Sequence, residues 1–269
     1  MPRTEPIRLE KIKEKLQTKL IGKTIHCFSE VASTNDLAKE MATIGAKEGT
    51  VIIAETQTSG KGRLSREWAS PRGGIWLSTI LRPELSGKDI PKLTLMTSLA
   101  VAKTISQLFN LKTEVKWPND VLINTRKVCG ILIIANTRGG VTNFVVVGIG
   151  INANIELDSL PKQVRENATS LKHELKREID REQFLRLLFE KMERYYVMLT
   201  GGKFSPVLKE WKSLCGFLGS YVEVTSWEEK IEGLAIDVDE NGALIIRLQD
   251  GTLRKVLSGD GSLKRSKEL

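Results

Sequence analysis

The sequence predicts an α+β fold in which a central mixed β-sheet is flanked by helices and followed by a small β-barrel. Three observations carry that prediction. Four apolar, mostly β-branched runs, at residues 49–54, 74–81, 127–135 and 144–152, read as buried strands. Two long stretches, 91–108 and 181–199, place apolar residues at helical spacing; in the second these are Phe184, Leu187, Leu188, Met192 and Tyr195. From Gly219 the character changes to short strands at 221–225, 230–238, 243–248 and 252–257, joined by Glu240-Asn-Gly and Asp250-Gly turns, as in a small closed barrel. The chain therefore divides into an extension (1–20), a main domain (21–217) and a barrel domain (218–269).

In order along the chain, residues 6–20 carry Ile12, Leu16 and Leu20 on one stripe among Lys and Glu, which predicts one amphipathic helix. That leaves no room for a helix-turn-helix before the first strand, expected at 23–28. Ser33 or Thr34 is placed to cap a helix whose first turn carries Asp36. Pro91 stands where a first-turn proline is tolerated. Residues 114–124 form a strand interrupted by Pro-Asn-Asp, because proline cannot donate to a ladder. The runs 127–135 and 144–152 form a hairpin. Gly130, Gly148 and Gly150 lie inside these strands, where glycine costs stability, so a ligand or another backbone is expected to approach closely there. A shorter helix is expected at 206–214.

The 269 residues suffice for one large domain with a core plus a small second one, and 41% hydrophobic with 28% charged residues is ordinary for a globular protein. With 41 Lys+Arg against 33 Asp+Glu, the net charge of +8 favours acidic partners: nucleotides, nucleic acid or an acidic protein. No apolar run approaches the roughly 18 residues that span a bilayer, and the amino terminus is charged where a signal peptide is apolar, so a cytoplasmic location is expected. Cys27, Cys129 and Cys215 are odd in number and far apart, as reduced thiols are, and form no paired metal motif. Alternation along the strand puts Cys129 on the same face as Lys127. His26 and His173 have no catalytic partner nearby in sequence and read as structural or exposed.

The most chemically loaded stretch is Glu55 to Trp68, a loop between two strands holding Lys61, Arg63 and Arg66 with Gly60 and Gly62. Glycines admit a ligand close to the backbone, and the cations supply charge-assisted donors for carboxylate or phosphate. The spacing is not that of a Walker loop.

Four separated segments complete the picture: Ser33-Thr-Asn35, the loop Gly60 to Trp68, Lys116-Trp-Pro-Asn-Asp120, and Lys127-Val-Cys-Gly-Ile-Leu132 followed by Gly148-Ile-Gly-Ile-Asn152. Together they resemble the biotin–protein ligases (biotin–acetyl-CoA-carboxylase ligases), from about residue 23 to the end. The resemblance implies a catalytic domain like that of the class II synthetases and a C-terminal barrel of the Src-homology-3 type. It implies that biotin and ATP, with Mg²⁺, give biotinyl-5′-adenylate, and that a lysine of a biotin carboxyl carrier protein then takes the biotinyl group. Ser33, Thr34, Asn35 and Gln57 would line the biotin pocket. Gly60, Lys61, Gly62 and Arg63 would close over biotin and adenylate, Lys127 would contact the carboxylate and acyl-phosphate oxygens, and Trp68 would lie beside adenine. Asn119 and Asn152 would serve the nucleotide side, Lys116 and Gly130 would also belong to the binding site, and Asp120 would orient its turn or aid Mg²⁺ binding. Lys127, Arg63 and Lys61 are the implied catalytic cations, since two anions must meet and no protein nucleophile is required. The family's loop usually reads Gly-Arg-Gly-Arg-Arg-Gly-Arg; here Leu64 and Ser65 replace an arginine and a glycine. A form without an amino-terminal DNA-binding domain is expected, with no specific DNA and no membrane partner, and a homodimer is left open. The alternatives are a lipoate- or octanoate-type ligase of the same superfamily, whose Arg-Arg-x-x-Gly-Gly-Gly segment is absent, and a basic nucleic-acid-binding protein, which leaves the strand glycines unexplained.

Overall fold

The computed structural model describes residues 5–225, 229–257 and 259–263. A one-turn helix α1 (Leu9–Lys13) precedes the edge strand β1 (Ile25–Val31). Helix α2 (Thr34–Thr43) starts at Ser33, whose Oγ accepts from the Asp36 amide at 3.3 Å; the cap falls on Ser33 and leaves Thr34 inside the helix. Strands β2 (Val51–Gln57) and β3 (Ile75–Leu81) flank the basic loop, and α3 (Ile90–Phe109) follows with Pro91 in its first turn. The Pro118 interruption separates β4 (Glu114–Lys116) from β5 (Asp120–Ile123), which pair as a tight antiparallel hairpin. Strands β6 (Arg126–Arg138) and β7 (Val141–Ile151) make a hairpin longer than the apolar runs alone suggest. Short helices α4 (Lys162–Arg165) and α5 (Leu171–Leu175) lead to α6 (Arg181–Thr200) and α7 (Phe204–Ser213).

The main sheet has seven strands in the order β1-β2-β3-β7-β6-β5-β4, with β1 parallel to β2 and the other neighbours antiparallel, so it is mixed as expected. Side chains alternate across it. Ile75, Leu77 and Leu81, with Val145, Val147, Ile149 and Ile151, bury against α3, α6 and α7 in the principal core. On the opposite face, Ile52, Ile80, Phe144 and Val146 pack under α2. Helix α2 covers only part of that face, and what it leaves uncovered is the floor of the site described below.

Strands β8 (Tyr221–Thr225), β9 (Lys230–Val238), β10 (Leu244–Arg247), β11 (Leu253–Val256) and β12 (Asp260–Leu263) form a second, wholly antiparallel sheet in the order β11-β10-β9-β8-β12. The last strand was not foreseen, since Asp260 to Leu263 lacks an alternating apolar pattern. Trp117 Nε1 donates to the Gly242 carbonyl at 3.0 Å and so joins this sheet to the β4–β5 turn.

The amino-terminal extension departs from expectation. The predicted helix over 6–20 shrinks to α1, and the chain beyond it lies along α6. Glu193 of α6 accepts from the amides of Lys19, Leu20 and Ile21 at 2.7, 2.7 and 2.8 Å, which takes donors that a helix would spend on its own carbonyls. The apolar stripe is nonetheless used: Ile12 is buried, and Leu16 and Leu20 pack against the core. Upstream, the Ile7 amide donates to Glu55 Oε1 at 2.6 Å, and Glu55 is paired with Arg181 in the interior, at 7% and 3% side-chain exposure.

Candidate active site

A cavity of about 600 Å³ opens on the sheet face beside the N-terminus of α2. Its walls come from the start of α2, the end of β2, the basic loop, the β4–β5 turn, strands β6 and β7, the segment before α5, and Thr225 of the second sheet. Every candidate residue from the sequence lies on its wall except Gly60. Gly60 instead closes the base of the loop: it accepts from the Trp68 amide at 2.9 Å, and a Cβ there would stand 2.3 Å from the Trp68 carbonyl oxygen. At this position the glycine lets backbone meet backbone.

At the α2 end a chain of hydrogen bonds fixes the polar side chains. Gln57 Oε1 accepts from the Thr34 amide at 2.8 Å and from Thr34 Oγ1 at 3.0 Å, while Gln57 Nε2 donates to Ser70 Oγ at 2.7 Å. That sets the orientation of the Gln57 amide. Ser78 Oγ lies 2.8 Å from Thr34 Oγ1 and donates to Asn35 Oδ1 at 2.6 Å, and Asn35 Nδ2 donates to the Leu132 carbonyl at 3.3 Å. Ser70 and Ser78 were not singled out from the sequence. Strand alternation from Trp76 would have placed Ser78 on this face.

Three of the cations on the wall meet an acceptor. Lys127 Nζ is 2.7 Å from Asp120 Oδ1 and 4.9 Å from the centre of the Trp68 ring. Arg63 Nη1 donates to Asn119 Oδ1 at 3.1 Å, and Asn119 Nδ2 donates to the Ile131 carbonyl at 3.0 Å. Lys61 Nζ lies 2.7 Å from Asp36 Oδ2. The Asn152 side chain is turned to structural use, donating to the Thr169 carbonyl at 3.0 Å. The loop itself forms a small hairpin, with the Gly62 amide donating to the Arg66 carbonyl at 2.7 Å. Leu64 and Ser65, at φ 54° and 58°, take the left-handed conformation that glycine adopts without cost.

The glycines inside β6 and β7 do mark close approach, but the visitors are side chains. A Cβ on Gly148 would lie 2.1 Å from Asn35 Oδ1; on Gly150, 2.5 Å from Trp68 Nε1; on Gly130, 2.8 Å from the Trp68 ring. Trp68 thus lies flat on a glycine floor, its buried Nε1 without a hydrogen-bond partner. Cys129 must be reassigned. Val121 pairs with Cys129 but Leu122 pairs with Lys127, so a bulge at Val128 breaks the alternation. Lys127 and Gly130 face the cavity, whereas Cys129 is fully buried in the principal core, and that burial pushes its thiol far above the ordinary range. His26 and His173 are half-buried and lie off the cavity wall.

Asp120 and Glu67 are the carboxylates on the wall, and among the described residues no group of three or more His, Cys, Asp or Glu is gathered to hold a metal ion. A dedicated all-protein magnesium cage does not fit this donor set; one carboxylate beside nucleotide phosphates is the arrangement that magnesium ordinarily uses.

With the geometry in view, comparison with known proteins is informative. Residues 27–152 match the Biotin/lipoate A/B protein ligase family, and residues 217–264 match the Biotin protein ligase C terminal domain. The chain is 36% identical over 249 residues to the bifunctional ligase/repressor BirA of Bacillus spizizenii, covering 91% of this chain and 75% of that protein. It is 31% identical to the biotin–[acetyl-CoA-carboxylase] ligase of Paracoccus denitrificans, covering 80% of this chain and 90% of that one. The biotin protein ligase of Aquifex aeolicus, solved with biotin and ATP, superposes with a TM-score of 0.78 at 28% identity, over 91% of this chain and all of that one. A sequence relative of this similarity and length, agreeing with the fold over both sheets, settles the family: the chain belongs to the biotin protein ligases.

Proposed function

We propose that this single cavity carries out both halves of the ligase reaction, with Lys127 as its principal cation. The chain is an ATP-dependent biotin–protein ligase: biotin is activated as biotinyl-5′-AMP and the biotinyl group passes to a lysine of a carrier protein. The observation that carries the residue assignment is that Lys61, Arg63 and Lys127, from two distant segments, line one cavity whose wall has neither cysteine nor histidine. Acyl-adenylate formation has that requirement. A carboxylate attacks an α-phosphate, so two anions must be neutralised and aligned, and no protein nucleophile takes part.

In this reading the Thr34–Asn35–Gln57–Ser78 network presents fixed donors and acceptors to the biotin ring. Lys127 exchanges Asp120 for the biotin carboxylate and the phosphate oxygens, and Arg63 steadies the nucleotide with Asn119. Mg²⁺ would enter with ATP as part of the substrate, and Asp120, the wall carboxylate 2.7 Å from Lys127 Nζ, is the group that would meet it. Residues 21–217 would form the catalytic domain and 218–269 the accessory one, Thr225 reaching the cavity from the latter. The acceptor is the lysine of a biotin carboxyl carrier domain. No helix among the described residues is long and apolar enough to cross a membrane.

Biotin-dependent ATP–pyrophosphate exchange tests the proposal. Lys127→Ala should lower exchange by about 10²–10³, the usual cost of losing a preorganised charge donor. Supplying chemically made biotinyl-adenylate should recover part of the carrier labelling, because the acyl group is then already activated. A folded Lys127→Ala enzyme within about threefold of the parent would remove Lys127 from the mechanism, since that is under 1 kcal/mol.

A further inference from the structure

The backbone of Lys127 is held from a direction that the ligand-facing residues do not explain. Its amide donates to the Asn167 carbonyl at 2.8 Å, and its carbonyl accepts from the Thr169 amide at 2.9 Å, so the segment 167–169 runs beside it as an extra, parallel partner. Both flanks of this junction converge on one carboxylate. Glu174, in α5, has a side chain only 8% exposed and accepts from Arg126 Nη2 at 2.8 Å, from Asn124 Nδ2 at 2.9 Å and from the Thr169 hydroxyl. Arg126 is the residue before Lys127. Asn124 and Thr125 form the β5–β6 turn and sit at φ 50° and 64°, a left-handed pair that is unfavourable for threonine. Thr169 in turn offers its carbonyl to Asn152 Nδ2 at 3.0 Å, on the adjoining wall.

The geometry points to Glu174 as the positioning residue of Lys127: one buried carboxylate ties the strained turn, the start of β6 and the 167–169 segment together, and so sets where the Lys127 ammonium stands relative to the substrate anions. Glu174 lies off the cavity wall and touches no ligand position, so it acts only through these neighbours. The charge matters as well as the shape. A carboxylate satisfies three donors, one of them a guanidinium, whereas an amide of the same size presents a single acceptor oxygen and turns two N–H groups on Arg126 or Asn124.

The inference rests on the role proposed for Lys127, and a double-mutant cycle separates the two. Biotin-dependent pyrophosphate exchange is measured for the full chain, Glu174→Gln, Lys127→Ala and the pair. Glu174→Gln should lower kcat about tenfold with KM for biotin within about twofold, as expected when a charge-assisted bond that orients a catalytic group is lost. In the Lys127→Ala background the same change should cost less than about twofold, because residues acting as one unit are not additive. Thr169→Val, which removes one donor and keeps the volume, should show a smaller effect with the same non-additivity and serves if Glu174→Gln does not fold. Losses that multiply in full across the two backgrounds, or a Glu174→Gln enzyme equal to the parent, would overturn the role of Glu174 alone. A harmless Lys127→Ala would retire the reading of Lys127 and this inference with it.

Discussion

Replacing Gly148 by alanine is the most direct test of how the glycine floor and the polar wall depend on each other. Gly148 has ordinary strand geometry, so alanine meets no backbone strain, and on strand preference alone it should stabilise the protein by about 0.5–1 kcal/mol. The structure reverses that sign. The added Cβ would stand 2.1 Å from Asn35 Oδ1 and 2.5 Å from Nδ2, closer than any real contact, and the far end of the asparagine must swing away. It then gives up the bond from Ser78 at 2.6 Å and the bond to the Leu132 carbonyl at 3.3 Å. At about 1 kcal/mol each these cost about 2 kcal/mol, and subtracting the strand gain leaves a net loss of about 1–1.5 kcal/mol. Urea unfolding reads this stability loss, and calorimetric titration with biotin reads separately the effect of moving Asn35, which should raise Kd by up to about tenfold if one hydrogen bond to the ligand is lost as well. In an Asn35→Ala background the obstacle is gone, so Gly148→Ala should become neutral or stabilising there. A Gly148→Ala protein with the parent's stability and biotin affinity would refute the packing of Asn35 over β7.

Other outcomes follow from the same geometry. Ser65→Gly relieves a left-handed serine and should raise the urea midpoint by an amount equivalent to about 1 kcal/mol, with no change expected for an exposed serine that has ordinary φ. Maleimide should label Cys27 and spare Cys129 in the folded protein; burial, then Glu55 and Glu10, push the exposed-strand thiol Cys27 up to about 11, so its labelling should accelerate about tenfold per pH unit from neutrality towards that value as the thiolate forms. Mass spectrometry that finds Cys129 modified first would contradict the bulge at Val128. Arg181→Met takes from buried Glu55 its hydrogen-bonded ion-pair partner, leaving only the half-exposed Arg72 at 3.9 Å, and should cost about 3 kcal/mol, seen as a lowered unfolding midpoint together with faster amide exchange at Ile7.

Much of this protein is legible in the sequence because the signals concerned are local. Continuous apolar runs along β3 and β7, helical spacing along α3 and α6, and turn chemistry between the late strands all report which segments avoid water. The loop cations and the strand glycines are also local signals, and tertiary structure gathers Lys61, Arg63, Lys127, Gly130, Gly148 and Gly150 around one cavity. What the sequence could not determine are features decided by partners far along the chain. Glu193 takes the amides of Lys19 to Ile21 from more than 170 positions away and dissolves a helix that periodicity supports. One extra residue at Val128 turns Cys129 from the cavity into the core, and a bulge leaves no mark in an apolar run. Trp68 rather than a ligand rests on Gly130 and Gly150, and Glu174, an unremarked acid on a five-residue helix, becomes the anchor of the β5–β6 turn. Periodicity encodes which side of an element avoids water. It carries no information about which distant donor will meet which acceptor, because that match exists only once the elements have packed.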